Sequence, residues 1–220
     1  MDIKTLFSLS SGLYIIGAKD GGGKTQTGFA GCVVNTVLQT TAKPVTVSVC
    51  INKDNYTNDC IKKTKEFSVS ILSEQIMESV IGTFGFSSSR EKDKFAQTPY
   101  GLTPSGLPYI KNGITGYIQC RVIDFIDNYT HTVFIGEAEE AEVISNETPM
   151  TYSYYHKVIK GKAPKNAPTY VEEKSGSAAS YKCSVCGYEY PGSREEFEKL
   201  DGDYRCPICY ADKNMFKPLL

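Results

Sequence analysis

Two Cys-x-x-Cys pairs near the end of the sequence carry its clearest chemistry. The first pair is Cys183 and Cys186, and the second is Cys206 and Cys209, with nineteen residues between the pairs. Each pair can wrap a tight turn around one ion and offer two thiolates from the same side. Four thiolates make a closed tetrahedral site, which suits zinc or a single iron ion. The paired spacing and the glycine after the first pair favour this site over two disulfides or four unrelated thiols.

The residues around the cysteines bear on the choice of metal. Gly187 and Tyr188 follow the first pair, Pro207 lies within the second, and residues 181–217 together resemble a rubredoxin. Besides Tyr210, the aromatic residues of this unit are Tyr181, Tyr188, Tyr190, Phe197, Tyr204 and Phe216. Rubredoxins hold one iron in four cysteines and pass single electrons, and such aromatics pack beside the iron and exclude water. The resemblance therefore implies an iron site at the four cysteines.

This unit departs from free-standing rubredoxins in two ways. The loop between the cysteine pairs is shorter, and Tyr210 occupies the position where the second turn usually has glycine. If that turn needs a positive φ, a residue with a side chain costs roughly 1 kcal/mol there.

The remaining length must form a second, larger domain, because the chain has 220 residues. A net charge of −1 argues against a nucleic-acid or membrane-surface protein. The sequence shows no apolar run of membrane-spanning length and no signal-peptide core, so we expect a cytoplasmic protein. In a reducing cytosol, buried free thiols are expected at the remaining cysteines: Cys32, Cys50, Cys60 and Cys120.

The larger domain is predicted to be mainly β, with a few short helices. Strands are expected at residues 13–17, 44–52, 65–72, 116–126 and 129–145, with a turn at Asp127 and Asn128. The glycine-rich run at 20–25 is predicted to be a hairpin turn, since the first glycine of a phosphate loop would fall on Ala18. The meandering strand order favours an antiparallel barrel over βαβ units.

Two helices are predicted between these strands. The first is capped at Asp54 or Asn55 and runs to about Lys63. The second is capped by Ser73 and ends at Gly82, with a buried stripe of Ile76, Met77, Val80 and Ile81. Residues 83–116 are expected to be irregular. The proposed organisation is a barrel at 1–160, a tail and flexible linker at 161–180, and the metal unit at 181–220.

Residues 10–168 resemble the flavin reductase-like family, which binds FMN in a split β-barrel and is usually a homodimer. The matching pieces are Ser11-Gly12-Leu13-Tyr14, Asn35-Thr36-x-x-Gln39-Thr40, residues 44–52, Asn55-Tyr56-Thr57, residues 84–95, Tyr154-Tyr155-His156 and residues 160–168. The resemblance implies FMN contacts from the polar residues of these pieces. Neutral hydrogen-bonding groups come from Asn35, Thr36, Gln39, Thr40 and Asn52, and phosphate donors come from Ser87, Ser88, Arg90 and Lys94.

Without the resemblance, the same residues also fit ordinary strand-end chemistry and a solvated charged loop. No catalytic residue is assigned. His156 is a candidate for lining a flavin or nicotinamide pocket, although neither hydride transfer to flavin nor FMN binding needs a histidine. His131 falls in a strand pattern and is expected to be structural.

The full arrangement resembles the high-molecular-weight rubredoxins of anaerobic bacteria. This implies a route from NADH or NADPH through FMN and iron to an acceptor such as a flavodiiron protein, in oxidative or nitrosative stress defence. No Gly-x-Gly-x-x-Gly follows a strand, so the nicotinamide would bind transiently over the flavin. Three alternatives stay open: a zinc site serving only as a structural interaction module, a flavin-binding carrier without NAD(P)H oxidation, and a flavin reductase serving a monooxygenase.

Overall fold

The computed structural model describes residues 3–159 and 180–219. The first part is built on nine strands: β1 (Tyr14–Lys19), β2 (Phe29–Val34), β3 (Val37–Ala42), β4 (Val45–Asn52), β5 (Glu66–Leu72), β6 (Tyr100–Leu102), β7 (Pro108–Ile110), β8 (Ile114–Asn128) and β9 (His131–Val143). Seven of them form one antiparallel sheet in the order β2-β1-β5-β8-β9-β4-β3. The predicted mainly β, antiparallel domain is confirmed.

Short helices and a small second unit complete the described residues. The helices are α1 (Tyr56–Thr64), α2 (Glu78–Phe86), α3 (Tyr152–Lys157) and α4 (Arg194–Glu198), with 3-10 turns at Ile3–Ser8, Phe95–Gln97 and Lys213–Met215. Strands β10 (Tyr181–Cys183) and β11 (Phe216–Pro218) pair in the second unit. None of the helices described here has the length and apolar character to cross a membrane. The predicted linker lies almost wholly outside the described residues.

The glycine-rich turn and the first helix form where the sequence predicts them. Strands β1 and β2 pair as far as Lys19 and Phe29, so residues 20–28 connect a hairpin. Asn55 caps α1 by accepting a hydrogen bond from the Thr57 backbone N–H. Lys65 ends the helix in the left-handed conformation, with φ 62. A polar cap at the start and a left-handed residue at the end satisfy backbone groups that a short helix leaves unpaired.

The second predicted helix is wrong at both ends. Ser73 forms a bridge with Pro149, and its backbone N–H donates to the Gly113 carbonyl, so this residue belongs to the edge of the sheet. The helix begins after Met77, whose side chain is 61% exposed and not buried as predicted. Gly82 lies inside the helix and does not end it.

Two further predictions need correction. Strands β8 and β9 remain paired to Asn128 and His131, so the hairpin turn lies at Tyr129 and Thr130 and not at Asp127 and Asn128. Asp127 bonds instead to the Lys62 ammonium and the Thr132 hydroxyl. Residues 83–116, predicted to be irregular, hold the last turns of α2, a 3-10 turn and the β6–β7 hairpin.

One buried ammonium joins β2 to α2. Lys94 is fully buried, and its Nζ donates to the carbonyl oxygens of Gly31, at 2.9 Å, and Phe84, at 3.1 Å. The Phe84 carbonyl belongs to the last turn of α2, where carbonyls have no partner within the helix. Burial lowers the pKa of Lys94 to about 8, because removal from water disfavours the charged amine.

This burial predicts a pH-dependent contribution to stability. The folded pKa is depressed, so the unfolded chain binds more protons between the folded value of about 8 and the ordinary value of 10.5. In this window the free energy of unfolding, relative to Lys94→Met, should therefore rise with pH. From about pH 7.5 to about pH 9.5 the difference should change by roughly 2 kcal/mol, measured by urea unfolding. Lys111→Met, at an exposed site, is the control, and a pH-independent difference for Lys94→Met would contradict the prediction.

Candidate metal centre and flavin site

The four cysteines of the predicted metal site lie together. Their Sγ atoms are all within 4.8 Å of one another, with 3.6 Å between Cys183 and Cys209 and 3.5 Å between Cys186 and Cys206. Metal–sulfur bonds of about 2.3 Å in a tetrahedron place the sulfurs about 3.8 Å apart. The cluster therefore has the size that one four-coordinate ion requires. Hydrogen bonding from the other three sulfurs, above all Cys186, lowers the pKa of Cys183 and favours a thiolate.

Two similar turns present these sulfurs. We call residues 183–187 the first cysteine turn and residues 206–210 the second cysteine turn. The Gly187 N–H donates to the Cys183 carbonyl and the Tyr210 N–H to the Cys206 carbonyl, each at 2.9 Å. Both closing residues have a positive φ, 78 at Gly187 and 59 at Tyr210. Tyr210 thus has the positive φ at which a residue with a side chain is expected to cost roughly 1 kcal/mol.

The predicted aromatic shell surrounds the buried ring of Phe197. Tyr181 stacks on this ring with centroids 4.1 Å apart, while Tyr190 at 5.1 Å and Phe216 at 5.0 Å approach it at larger angles. Helix α4 carries Phe197, and a reciprocal capping box between Ser193 and Glu196 fixes the start of that helix. The aromatic side chains and the cysteines form one buried cluster, which excludes water from the sulfurs.

Three of the predicted flavin contacts converge at the start of α1. The Asn52 side-chain oxygen accepts from the Asp54 N–H, and the Arg90 guanidinium donates to the Asp54 carbonyl and to the Asp59 carboxylate. The Ser88 hydroxyl accepts from the Arg90 N–H, so both side chains lie in the same loop. The guanidinium of Arg90 and the hydroxyl of Ser88 are donors of the kind that a phosphate group needs.

Three more predicted contacts, Asn35, Thr36 and Ser87, lie in the segments next to this region. The Thr36 carbonyl accepts from the Cys50 N–H, only two residues before Asn52 on β4, and the Thr36 hydroxyl donates to the Asn35 side chain. Ser87 follows α2 directly, and its hydroxyl donates to the Thr83 carbonyl of the last turn.

The other three predicted contacts lie elsewhere. Gln39 pairs with Val47, and the Thr40 hydroxyl bonds to that of Thr46, so both are exposed near the opposite end of β4 from Asn52. The Lys94 ammonium is engaged inside the barrel. Asn52, Ser88, Arg90, Asn35, Thr36 and Ser87 therefore form the compact group, and the flavin roles of all nine residues remain predictions.

The two histidines have different surroundings. The Nδ1 atom of His131 lies 2.8 Å from the Thr130 hydroxyl at the β8–β9 turn, and burial lowers its pKa. His156 lies on α3, where its ring meets Tyr152 edge-on with centroids 4.3 Å apart. Both contacts suit packing within the protein, and no catalytic role follows from them.

Thr57 lies behind the candidate site and not in it. This residue is fully buried in the first turn of α1, where its hydroxyl interacts with the Cys32 thiol and is closed off from any bound group. In the sequence, the cap at Asn55 indicates that Thr57 lies in the first turn of a helix, but it does not show which groups surround the Thr57 side chain.

Comparison with known proteins gives the class of this chain. A family model described as the flavin reductase like domain matches residues 6–162. The chain therefore belongs to this family, and a flavin is its organic cofactor.

Individual relatives extend this assignment to the whole sequence. The chain is 40% identical to the high molecular weight rubredoxin of Moorella thermoacetica, with 100% of both chains covered. Over 79% of its length it is 38% identical to the whole of the Archaeoglobus fulgidus ferric-chelate reductase (NAD(P)H). The solved NADH:FAD oxidoreductase of Streptomyces globisporus C-1027 shares the fold, with a TM-score of 0.59 and 21% identity over 67% of this chain and 84% of that one.

The predicted arrangement is thus confirmed in its main lines. The protein is an oxidoreductase in which a flavin reductase-like domain is followed by a rubredoxin-type unit. Its four-cysteine cluster is an iron site, and the chain carries flavin and iron as redox groups.

The two closing residues of the cysteine turns allow a paired test of backbone strain. Gly187→Ala should destabilise the metal unit and Tyr210→Gly should stabilise it, each by about 1 kcal/mol, because only glycine adopts a positive φ at no steric cost. The space around Gly187 accommodates a methyl group, since the nearest atom is 3.7 Å away on Lys182, so the penalty comes from the backbone alone. Loss of ferric-thiolate absorbance in urea measures both effects. Shifts of the same sign in the two variants would contradict this account.

Proposed function

We propose that the protein passes electrons from NADH or NADPH through FMN and the rubredoxin-type iron to an external acceptor such as a flavodiiron protein. The observation that carries the proposal is the union, in one chain, of a flavin reductase-like domain and a preformed four-thiolate site packed beside it. A flavin accepts a hydride and can release its two electrons singly, whereas a four-cysteine iron holds one electron at a time.

The residues of this chain have distinct tasks in that function. Arg90 and Ser88 would bind the FMN phosphate, and Asn35, Thr36 and Asn52 would hydrogen-bond the rest of the cofactor. The aromatic side chains around the cysteines keep water from the sulfurs, which helps to set the potential of the metal. Similarity to the ferric-chelate reductase (NAD(P)H) of Archaeoglobus fulgidus supports NAD(P)H as the electron donor.

An anaerobic NADH titration followed by visible absorbance tests the route. We expect bleaching of the flavin band together with loss of the ferric-thiolate bands. A bleached flavin with the iron still oxidised would contradict electron transfer from flavin to iron. A flavin that NADH does not bleach would support the alternative in which the protein carries electrons between two other proteins without oxidising NAD(P)H. A colourless four-cysteine site containing zinc would support the structural alternative. Addition of a purified flavodiiron protein under oxygen or nitric oxide then tests the final acceptor by NADH consumption.

The proposed phosphate contact predicts a loss of FMN affinity in Arg90→Gln. A hydrogen bond to a charged group contributes about 1.5–3 kcal/mol, so affinity should fall between roughly tenfold and a hundredfold. Fluorescence titration of the flavin-free protein with FMN measures the change. Arg121→Gln is the matched control, because Arg121 is also a partly exposed arginine paired with carboxylates, those of Glu137 and Glu139 on β9. Equal affinities in wild type and Arg90→Gln would remove this residue from the site.

We further propose that the protein works as a homodimer in the cytoplasm. In its proposed organisation, residues 1–160 form the flavin-binding barrel, residues 161–180 a tail and linker, and residues 181–220 the metal unit. Exposed apolar side chains support an interface, because Leu38 on the edge strand β3 is 63% exposed and Ile126 near the end of β8 is 61% exposed. Sedimentation equilibrium should give twice the mass of one chain for the wild type. Ile126→Asp should reduce that mass if the outer part of the β8–β9 hairpin lies in the interface.

A further inference from the structure

The second cysteine turn lies directly against α2 at Gly82. A methyl group on Gly82 would overlap the carbonyl oxygen of Ile208 and would lie 2.8 Å from Cys209 Cα. Gly82 is buried in the middle of its helix, where glycine costs about 1 kcal/mol relative to alanine. The close approach of the two backbones is the physical reason for a glycine at this position.

A second residue on the same face of α2 also contacts the metal unit. Phe86 lies four positions after Gly82 and packs against the buried cluster that includes the cysteines. Residues four apart lie on one face of a helix, so this face of α2 is turned toward the metal unit. Beside the contact, the two parts border a groove of about 510 Å³ lined by residues of both, including Met77 and Arg205.

The two cysteine turns differ in what covers them. Val185 and Ile208 hold equivalent positions, each immediately before the second cysteine of its pair. Ile208 is 8% exposed and lies next to α2, whereas Val185 is 38% exposed. The same apolar position is thus covered by the barrel domain in one turn and left accessible in the other.

Helix α2 also leads to the candidate flavin site. From Gly82 to Phe86 the helix rises about 6 Å, and Ser87, Ser88 and Arg90 follow at once. One rigid element therefore connects the second cysteine turn with the loop proposed to bind the FMN phosphate.

We propose that the second cysteine turn, seated on α2 at Gly82, receives electrons from the flavin domain, and that the first cysteine turn faces the external acceptor. This inference rests on the proposed function. The barrel domain would hold the flavin, which would supply the two electrons of one hydride, and the four cysteines would hold the iron, which would take them one at a time. Each electron would pass from the reduced flavin to the ferric iron and on to a one-electron acceptor protein, so that two transfers use one hydride.

Two alanine variants on the same helix test the entry contact. Gly82→Ala introduces the overlap with Ile208, whereas a methyl group on Gly85 meets only Val33, at 3.8 Å. Both substitutions raise helix propensity equally, so they differ in the contact with the metal unit. In anaerobic stopped-flow mixing with NADH, Gly82→Ala should reduce its flavin at the wild-type rate but its iron several-fold more slowly. Gly85→Ala should match the wild type in both phases, and a wild-type rate of iron reduction in Gly82→Ala would overturn the proposal.

Hydrogen exchange on the full chain gives a readout independent of electron transfer. Peptides covering residues 205–211 should lose protection in Gly82→Ala, while those of β5 should not change in either variant. Unchanged protection in Gly82→Ala would show that the turn does not rest on α2. If NADH fails to reduce the wild-type iron, the proposed function is wrong, and the exchange data still decide whether the contact exists.

Equivalent substitutions in the two turns test the division of roles without changing the barrel. Ile208→Glu should slow the reduction of iron by flavin several-fold, and Val185→Glu should leave it unchanged. With cytochrome c as the acceptor protein, Val185→Glu should instead slow the oxidation of iron that has been reduced beforehand with dithionite. Equal effects of the two substitutions on iron reduction, or none of Val185→Glu on cytochrome c reduction, would overturn the assignment.

Discussion

The buried ammonium of Lys94 fixes the relation between the barrel and its most important helix. A charged amine inside a protein needs acceptors, and here the two acceptors are backbone carbonyls of β2 and α2. The side chain thus connects a strand of the sheet to a helix that shares no backbone ladder with it. Because the Gly82 contact and the Ser87–Arg90 loop both depend on where α2 lies, this one interaction positions both candidate redox sites.

The small metal unit is held together by different interactions. Its few residues cannot bury a large apolar core, so the aromatic cluster around Phe197 and the four sulfurs share that task. The ion completes a site in which the distances between the four sulfurs are already close to those of a tetrahedral metal–thiolate centre. Metal binding and folding of this unit are therefore coupled, since the same cysteines are ligands and core residues.

The sequence identifies local chemistry better than contacts between distant segments. The metal ligands followed from spacing alone, the antiparallel barrel from the meandering strand pattern, and helix α1 from its cap at Asn55. Glycine usually marks a helix end, so the sequence predicts one at Gly82, yet this residue admits a second backbone from residues more than a hundred positions away. The turn differs from the predicted one because Tyr129 adopts a positive φ of 44, which turn chemistry assigns to glycine, asparagine or aspartate and not to tyrosine.

The candidate flavin residues show the same limit. Asn52 and Arg90 were proposed from separate fragments, and the fold brings them to one helix start through Asp54. Lys94 came from the same charged segment as Arg90, but its side chain points into the barrel. A charged side chain in a loop can point toward solvent or toward the interior. It is buried only where the fold supplies acceptors such as backbone carbonyls, and the sequence does not show where these lie.

The thiols of the barrel have a consequence for how the protein acquires its metal. Burial raises the pKa of Cys32 to about 11, of Cys60 to about 11 and of Cys120 to about 12, and it raises that of Cys50 as well. At neutral pH these groups stay protonated, and a protonated thiol is neither a good ligand nor a good nucleophile. Incoming iron, or an oxidant seeking a thiolate, therefore meets little competition from half of the cysteines in the chain. The fold thus favours metal binding at the four C-terminal cysteines, because the four cysteines of the barrel stay protonated and unreactive.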